Sequence, residues 1–550
     1  MRIRDVVLPL ICLLLVSCAN NNSSSSSSGT DTSIITSNES SSSSSSSTST
    51  TTSTSGERKK EYTDFPSPIQ SEVDPLTFDE TAIPVNLTAI NDFHGQLFPD
   101  ASDYRVGLSK MAGYLAERKR QGDILISSGD NFQGSYLCSY DQGEFVASAF
   151  KYLNFDAYTI GNHEFDWGLS ALLDGENSLG QKYLGANVYN YPKVDGDWVK
   201  STLGRNYKIV TLYEDTAYEV KVGIIGVIGK SQISSIVSTY VGDYIFLDPT
   251  PIVKELSYEL RDEQGCDIVI ASYHDAGIDT SVTEDDPLTG KPYVDACFTA
   301  HTHKYEHEVV NGVPIIQASA YSRGVSTVNF TYNKTTSETS LVNSEYKYLS
   351  TMSLTNEPEV ESRLTQIRLC HQTELTITIG NNTLDHALSD QEMSRYYAKL
   401  AYDKGRIERS DLNIVGTMFN QSRRDLKQGD FTFAELYETH PFINEVYVFS
   451  VTGKNITNRM SSQYGYFNPE VEIVNDNDHW YDIIVYSYNG FHIGVNSEYE
   501  KYYNLFQSAF YNDAKHPPIL LSFNVVQIAL EQLSKTHYIY ENEVSGEGFF

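Results

Sequence analysis

The chain has 550 residues, 40% hydrophobic and 12% aromatic, with a formal net charge of −32. That length exceeds one compact domain and predicts two, plus tails. The acidity excludes a nucleic-acid duplex, whose phosphates need Lys and Arg to neutralise them, and anionic lipid held by a polybasic patch. It also repels an anionic substrate unless a local cation reverses the field.

The N-terminus reads as an export signal. Arg2 and Arg4 precede the run VVLPLICLLLV, which is apolar but too short to span a bilayer. It ends in LVSC, where a small residue stands before Cys18, similar to the lipidation box of bacterial lipoproteins. Residues 1–18 are therefore expected to be a lipoprotein signal peptide, lipidated at Cys18; an ordinary cleaved signal is the alternative. Residues 19–80 are expected to be a disordered tether. Between Asn20 and Ser55 they are nearly pure Ser and Thr and cannot bury apolar surface. As a flexible coil, about 36 residues of this kind separate their ends by ~30–36 Å. Beyond the signal, Cys138, Cys266, Cys297 and Cys370 show no C-x-x-C pairing. Cys266 and Cys297 flank apolar runs and read as small buried hydrophobes.

Residues 81–346 read as an α/β domain. Short β-branched runs recur, among them VNLTAI, DILISS, DAYTI, KVGIIGVIG, CDIVIAS, DACFTA and VPIIQAS. Helical patterns such as GLSKMAGYLAERKRQ lie between several of them. Residues 347–365 read as a linker. Residues 366–550 read as a second, α+β domain, with helix-like SRYYAKLAYDKG and strand-like NEVYVFSVTG and WYDIIVYSY.

The chemistry lies just after the strands of the first domain. VNLTAI runs into NDFHG, with Asp92 and His94; DILISS into GDN, with Asp130. DAYTI runs into GNHEFD, with Asn162, His163 and Asp166. CDIVIAS runs into YHDAG, with His274, and DACFTA into HTH, with His301 and His303. The carboxyl ends of strands are where α/β domains place their sites. Carboxylate, imidazole and amide without thiolate suit Zn, Mn, Fe or Co and do not choose among them. The donors are too many for one ion and enough for two that share a carboxylate, an arrangement suited to a phosphoryl centre.

In this order DFHG, GDNFQGS, GNHEFD, YHDAG and HTH resemble the calcineurin-like metallophosphatases, and more narrowly their bacterial 5′-nucleotidase and UDP-sugar hydrolase branch. The resemblance implies a four-layer α/β/β/α sandwich followed by a 5′-nucleotidase-like C-terminal domain. It implies two divalent ions, one held by Asp92, His94, Asp130 and His303, the other by Asp130, Asn162, His274 and His301, with Asp130 bridging. His163 would contact the phosphate and assist the leaving group, and Asp166 would hydrogen-bond its ring. His307, four residues past His303, matches nothing and reads as a surface residue. Ala300 stands where the family usually has Gly.

The C-terminal resemblance is weaker. Arg423 falls on a family arginine, and Phe442 with Asn444 on its PF.N motif, as candidate substrate contacts. A salt bridge for Arg423 and a core role for Phe442 are equal alternatives. Phe419, Asn420 and Gln421 replace family glycines, and the later GGDG is absent; Tyr488, Phe491 and Tyr503 are candidate replacement rings. The expected protein is a dinuclear metal-dependent phosphoesterase, anchored by lipid to the extracytoplasmic face of a bacterial membrane. It would hydrolyse 5′-nucleotides or related esters by attack of metal-activated hydroxide. Another phosphorylated substrate (a cyclic nucleotide, nucleotide sugar or sugar phosphate) and a non-catalytic surface binding protein are the alternatives.

Overall fold

Nearly continuous apolar runs become strands buried on both faces. Ile124–Ser127, Ile268–His274 and Ala296–Thr299 are buried throughout. The computed structural model of the chain describes residues 62–550 apart from 276, 443, 461, 492 and 504–516. The expected signal peptide with Cys18 and the Ser/Thr-rich stretch lie outside the described residues. No helix among the described residues is long and apolar enough to cross a membrane.

The first domain stacks two sheets. One has the order Glu338–Tyr348, Gly324–Asn333, Ile83–Ile90, Ile124–Ser127, Ala157–Tyr158. The other runs Tyr305–Val310, Val313–Ala318, Ala296–Thr299, Ile268–His274, Val220–Ile228, Tyr207–Leu212. Their central strands pair in parallel; antiparallel strands close both edges of the second sheet and one edge of the first, whose other edge strand, Ala157–Tyr158, is parallel. Between the sheets, Val85, Leu87, Ile124 and Ile126 meet Val222, Ile224, Ile268 and Ile270. On the outer side of the second sheet, Val227, Val269 and Ala271 pack on Val253 and Leu256 of the helix Pro249–Tyr258. That helix starts where it does because Asp248 caps Thr250 N at 3.0 Å and Pro249 needs no donor at the first position. On the outer side of the first sheet, Ile90, Leu125 and Tyr158 join Met111 and Leu115 of the helix Gly107–Arg120. Helix, sheet, sheet, helix is the four-layer sandwich expected.

The second domain is built on a five-stranded sheet of order Tyr464–Phe467, Ile414–Phe419, Trp480–Tyr486, Val446–Thr452, Ile519–Leu520. The helix Asp390–Glu408 opens with a capping box of Ser389 and Glu392 and buries Tyr396, Tyr397 and Ala401.

Two boundaries differ from the sequence reading. The packed body begins before residue 81. Tyr62 and Ile69 are buried, Phe65 stacks on Tyr152 at 5.2 Å, and Ile69 N donates to Tyr152 O at 2.9 Å. The expected linker 347–365 contains the start of a helix, Pro358–Cys370, whose Val360, Leu364 and Ile367 are buried. Cys138, Cys266 and Cys297 are buried free thiols, and Cys370 is an exposed one.

Candidate metal centre

Parallel strands of both sheets end on one side of the sandwich, so their loops meet. Two groups of donor atoms result: Asp92, His94 and His303, and Asp130, His274 and His301. Within each group the ligand atoms lie within 4.8 Å of one another. Asn162 joins the second group, its Oδ1 3.1 Å from both His274 Nε2 and His301 Nδ1. Asp130 Oδ2 lies 3.2 Å from His274 Nε2 and 3.9 Å from His94 Nε2, between the two groups.

The backbone is bent to achieve this. Asp92, His94, Asp130, His301 and His303 all have left-handed φ, from 48° to 75°. Such conformations cost about 1–3 kcal/mol each and persist where the surroundings enforce them. Ala300, by contrast, is not left-handed, so its methyl asks only for space in a buried position. Gly161 is required by close approach, since a Cβ there would meet Asp130 Oδ1 at 2.2 Å.

Partners behind the donors fix their orientation. His94 Nδ1 donates to Gln133 O at 2.8 Å and His274 Nδ1 to Ser128 O at 2.9 Å, which turns each Nε2 lone pair toward the cluster. Asn91 Nδ2 donates to Asp92 Oδ2 at 2.7 Å, and His301 N to the same oxygen at 2.9 Å. Glu164 is buried and accepts from the backbone N of Asp130, Asn131 and Gly161 at 2.8–3.0 Å, joining two of the loops. Burial, then the Asp130 charge, push its carboxyl up to about 6.

Charge is arranged around Asp130. Burial opposes its charge, but His274, His163 and His94 hold it well below the usual carboxylate range. Burial, then Arg423 and His303, hold His94 well below its ordinary value. Burial, then His274, lower His301. Neutral imidazoles are the form that binds a cation; at His274 burial opposes a charge but Asp130 raises its pKa to about 10, so a cation bound there would have to displace that proton.

His163 stands at the rim. Its Nδ1 is 2.7 Å from Asp166 Oδ2, and its backbone N donates to Asp130 Oδ1 at 2.9 Å. Burial opposes a charge there, but Asp166 and Asp130 together raise its pKa above the ordinary value. Arg423 reaches across from the second domain. Its Nη1 is 3.3 Å from His163 Nε2 and its Nη2 is 2.9 Å from His94 Nε2, while its Nε is buried without a partner. Phe442 faces His163 with ring centroids 6.2 Å apart and planes at 26°. The sequence-predicted donors, His163, Asp166, Arg423 and Phe442 therefore come together.

Other candidates do not join them. Asn444 is half-buried and makes no hydrogen bond to the cluster among the described residues. His307 lies on the exposed edge strand and bonds Ser344 Oγ at 2.8 Å. Phe491 packs on Tyr447 and Phe449, whereas Tyr488 is near enough to Asp166 and Arg423 to feel their charges. The Tyr503 side chain lies outside the described ones. Sequence reasoning missed Glu164, Gln133, Ser128 and Tyr321, whose ring leans on His94 at 5.1 Å. Of these only Glu164, inside GNHEFD, had a signal: a carboxylate next to the donors.

Residues 85–305 match the family described as calcineurin-like phosphoesterase. Residues 85–305 are a calcineurin-like phosphoesterase domain. The chain is 23% identical over 425 residues to Endonuclease YhcR of Bacillus subtilis, covering 72% of this chain and 34% of that one. It is 24% identical over 452 residues to cell wall protein Lmo0130 of Listeria monocytogenes, covering 70% and 56%. It thus spans about a third and just over half of these two curated relatives. The structure of a 5′-nucleotidase precursor from Thermus thermophilus superposes with a TM-score of 0.62 at 17% identity, over 83% of this chain and 97% of that one. The calcineurin-like domain and the domain after it therefore share the fold of that protein.

Proposed function

We propose that the chain is a two-metal phosphoesterase that hydrolyses a phosphate ester of a nucleotide. The observation that carries this reading is the meeting of two donor groups, the His163–Asp166 pair and Arg423 at one place. The donors fit divalent ions. The Nε2 atoms of His94 and His303 lie 3.1 Å apart beside Asp92, a spacing two neutral imidazoles tolerate when a cation lies between them. Asp92, His94, Asp130 and His303 would hold one ion and Asp130, Asn162, His274 and His301 the other. Zn, Mn, Fe and Co all suit such ligands. Bound there, the ions supply Lewis acidity and a nucleophile near neutral pH.

The chain's own residues do the rest. Asp166 fixes the His163 ring through Nδ1, so the proton for the leaving oxygen is held at Nε2. In the structure Arg423 Nη1 donates to that Nε2 at 3.3 Å; a phosphate oxygen entering between them would accept from both once Nε2 carries its proton. Phe442 covers the same point from the second domain and offers a ring to a base. The Bacillus relative, named an endonuclease, supports a nucleotide ester as the substrate.

One observation favours a second substrate class within the same chemistry. The Phe419 ring is buried and stacked on Tyr486 at 3.7 Å, and Asn420 Oδ1 accepts from Gln463 and Asn489, both at 2.8 Å. The loop that in the resembled enzymes is glycine-rich is here filled and cross-linked by side chains. A cyclic nucleotide, nucleotide sugar or sugar phosphate is the reading this favours.

The test uses the chain from residue 56 onward, with metals removed by chelator and restored with Mn or Zn. A chromogenic phosphate ester establishes turnover, and a panel of nucleotides, cyclic nucleotides, nucleotide sugars and sugar phosphates ranks substrates. Full metal occupancy with no turnover on any of them would sink both readings. Lipid anchoring at Cys18, on the extracytoplasmic face of a bacterial membrane, belongs to the same proposal. It rests on the basic start, the short apolar run and LVSC. Cys18→Ser should move the protein out of the membrane fraction, and its retention there would refute the anchor.

A further inference from the structure

Tyr321 lies in the turn between the strands Val313–Ala318 and Gly324–Asn333, at a position the metal-ligand motifs do not include. The turn is unusually contorted: Ser319, Tyr321 and Ser322 have φ of 60°, 55° and 61°. Its purpose is visible in what the residue touches. Tyr321 N donates to Asp92 O at 2.8 Å. The ring lies 5.1 Å from His94 at 31° and 5.2 Å from His303 at 83°. It therefore backs both imidazoles of one donor group and is bonded to the backbone of the third member.

The same ring organises cations. The Arg105 guanidinium sits 4.3 Å from its centroid and Arg323 5.3 Å. Asp103 bonds both arginines and offsets their repulsion. Arg105 is held further by Gln96 Oε1 at 2.8 Å. Aromatic faces attract guanidinium groups, so the ring is clamped rather than free to rotate away. On the remaining side stands Arg423, whose Nη2 lies 2.9 Å from Nε2 of His94, the imidazole this ring backs, and which is near enough to the Tyr321 hydroxyl to feel its charge. One side chain thus lies against two ligand histidines of the first domain and beside the arginine that enters from the second.

We propose that Tyr321 is a positioning residue that sets the Asp92–His94–His303 group and Arg423 relative to one another. Its ring holds the imidazoles, and its hydroxyl aims the guanidinium. This rests on the preceding reading of the donors as metal ligands and of Arg423 as a phosphate contact. A ring that merely fills space would make neither the hydroxyl nor the aromatic edge matter separately.

Two replacements separate the two tasks. Tyr321→Phe removes the hydroxyl alone. It should raise KM about tenfold with kcat within about twofold of wild type and metal binding unchanged. Tyr321→Leu removes the ring. It should weaken binding of Mn or Zn by about 10–100-fold, the usual cost of losing support behind a ligand histidine. Metal binding is read by equilibrium dialysis of the full chain with elemental analysis, independently of turnover, and circular dichroism confirms folding. Where the leucine variant does not fold, Tyr321→Met takes its place. An unchanged KM in Tyr321→Phe overturns the role of the hydroxyl. Wild-type metal affinity in the leucine or methionine variant overturns the role of the ring. If the wild type binds two metals but turns over no phosphate ester, the hydrolase reading fails, and the metal titration still decides whether the ring positions the donors.

Discussion

His163 is a histidine whose burial works against its charge and whose neighbours reverse that outcome. Asp166 at 2.7 Å and Asp130 behind it raise its pKa, which suits a group that must still carry a proton near neutral pH. His163→Ala should lower kcat by about 10²–10⁴-fold, the usual worth of a positioned acid, with metal content unchanged by elemental analysis. Loss of metal in that variant would make His163 a ligand instead. Arg423→Ala should cost about 10–100-fold in kcat/KM, the worth of a charge-assisted hydrogen bond. Arg423→Lys should recover only part of it, because an ammonium cannot hold the two-pronged arrangement. Equal kinetics in wild type and Arg423→Ala would reduce Arg423 to a contact between domains. At this scale the sequence was informative wherever a side chain is itself a candidate donor. Asp92, His94, Asp130, Asn162, His301 and His303 are legible because each follows a strand, and His274 because it ends one. The supports were not, because Gln133 and Ser128 act through backbone carbonyls, which no residue type betrays.

The elements show a different limit. The segment from Tyr62 to about residue 73 contains few apolar residues, too sparse to mark a periodic pattern beside the Ser/Thr tract. It is nevertheless bound at many points. Tyr62 meets Phe145 edge-on at 6.1 Å, Arg363 lies 4.5 Å over Phe65 and donates to Asp64 O, and Asn154 Nδ2 donates to Ile69 O at 2.9 Å. The segment therefore joins the helix Glu144–Tyr152 to the helix Pro358–Cys370. Removing it exposes at least two buried apolar side chains, on the order of 3–5 kcal/mol. A chain starting at residue 56 should unfold in urea at the full-length midpoint, and one starting at residue 81 at a clearly lower midpoint. Coincident midpoints would show the packing to be energetically idle. The sandwich itself was legible because parallel strands buried on both faces read as unbroken apolar runs. The C-terminal sheet was less so, because its strands Tyr464–Phe467 and Ile519–Leu520 are short and only part-buried.

Across the whole molecule, two buried histidines make stability depend on pH. Burial pushes His440 down to about 3, among Tyr397, Phe442 and Tyr486. Burial likewise pushes His371 down to about 4, against Tyr136 and Tyr140. Both stay neutral when folded and would take a proton at about pH 6.5 when unfolded. Their stabilising contribution is therefore complete above that pH. It falls as the pH drops toward the folded values, by about 1.4 kcal/mol per unit for each. Between pH 7 and pH 5 the loss is roughly 4 kcal/mol. Thermal unfolding of metal-free protein should show a Tm that declines across this range, and the double variant His371→Gln/His440→Gln should decline less steeply. An equal decline in the unaltered protein and the double variant would place both residues in contact with water.

The left-handed backbone at Asp92, His94, Asp130, His301 and His303 bears on descent as well as chemistry. Glycine adopts that conformation without strain, so at each of these five positions a random change to glycine would relax the chain. A lineage that had stopped using the site would drift toward that relief, since stabilising changes are easily found once function no longer opposes them. At each of the five this chain carries a carboxylate or an imidazole instead, so the strain it bears is that of holding those candidate donors in place.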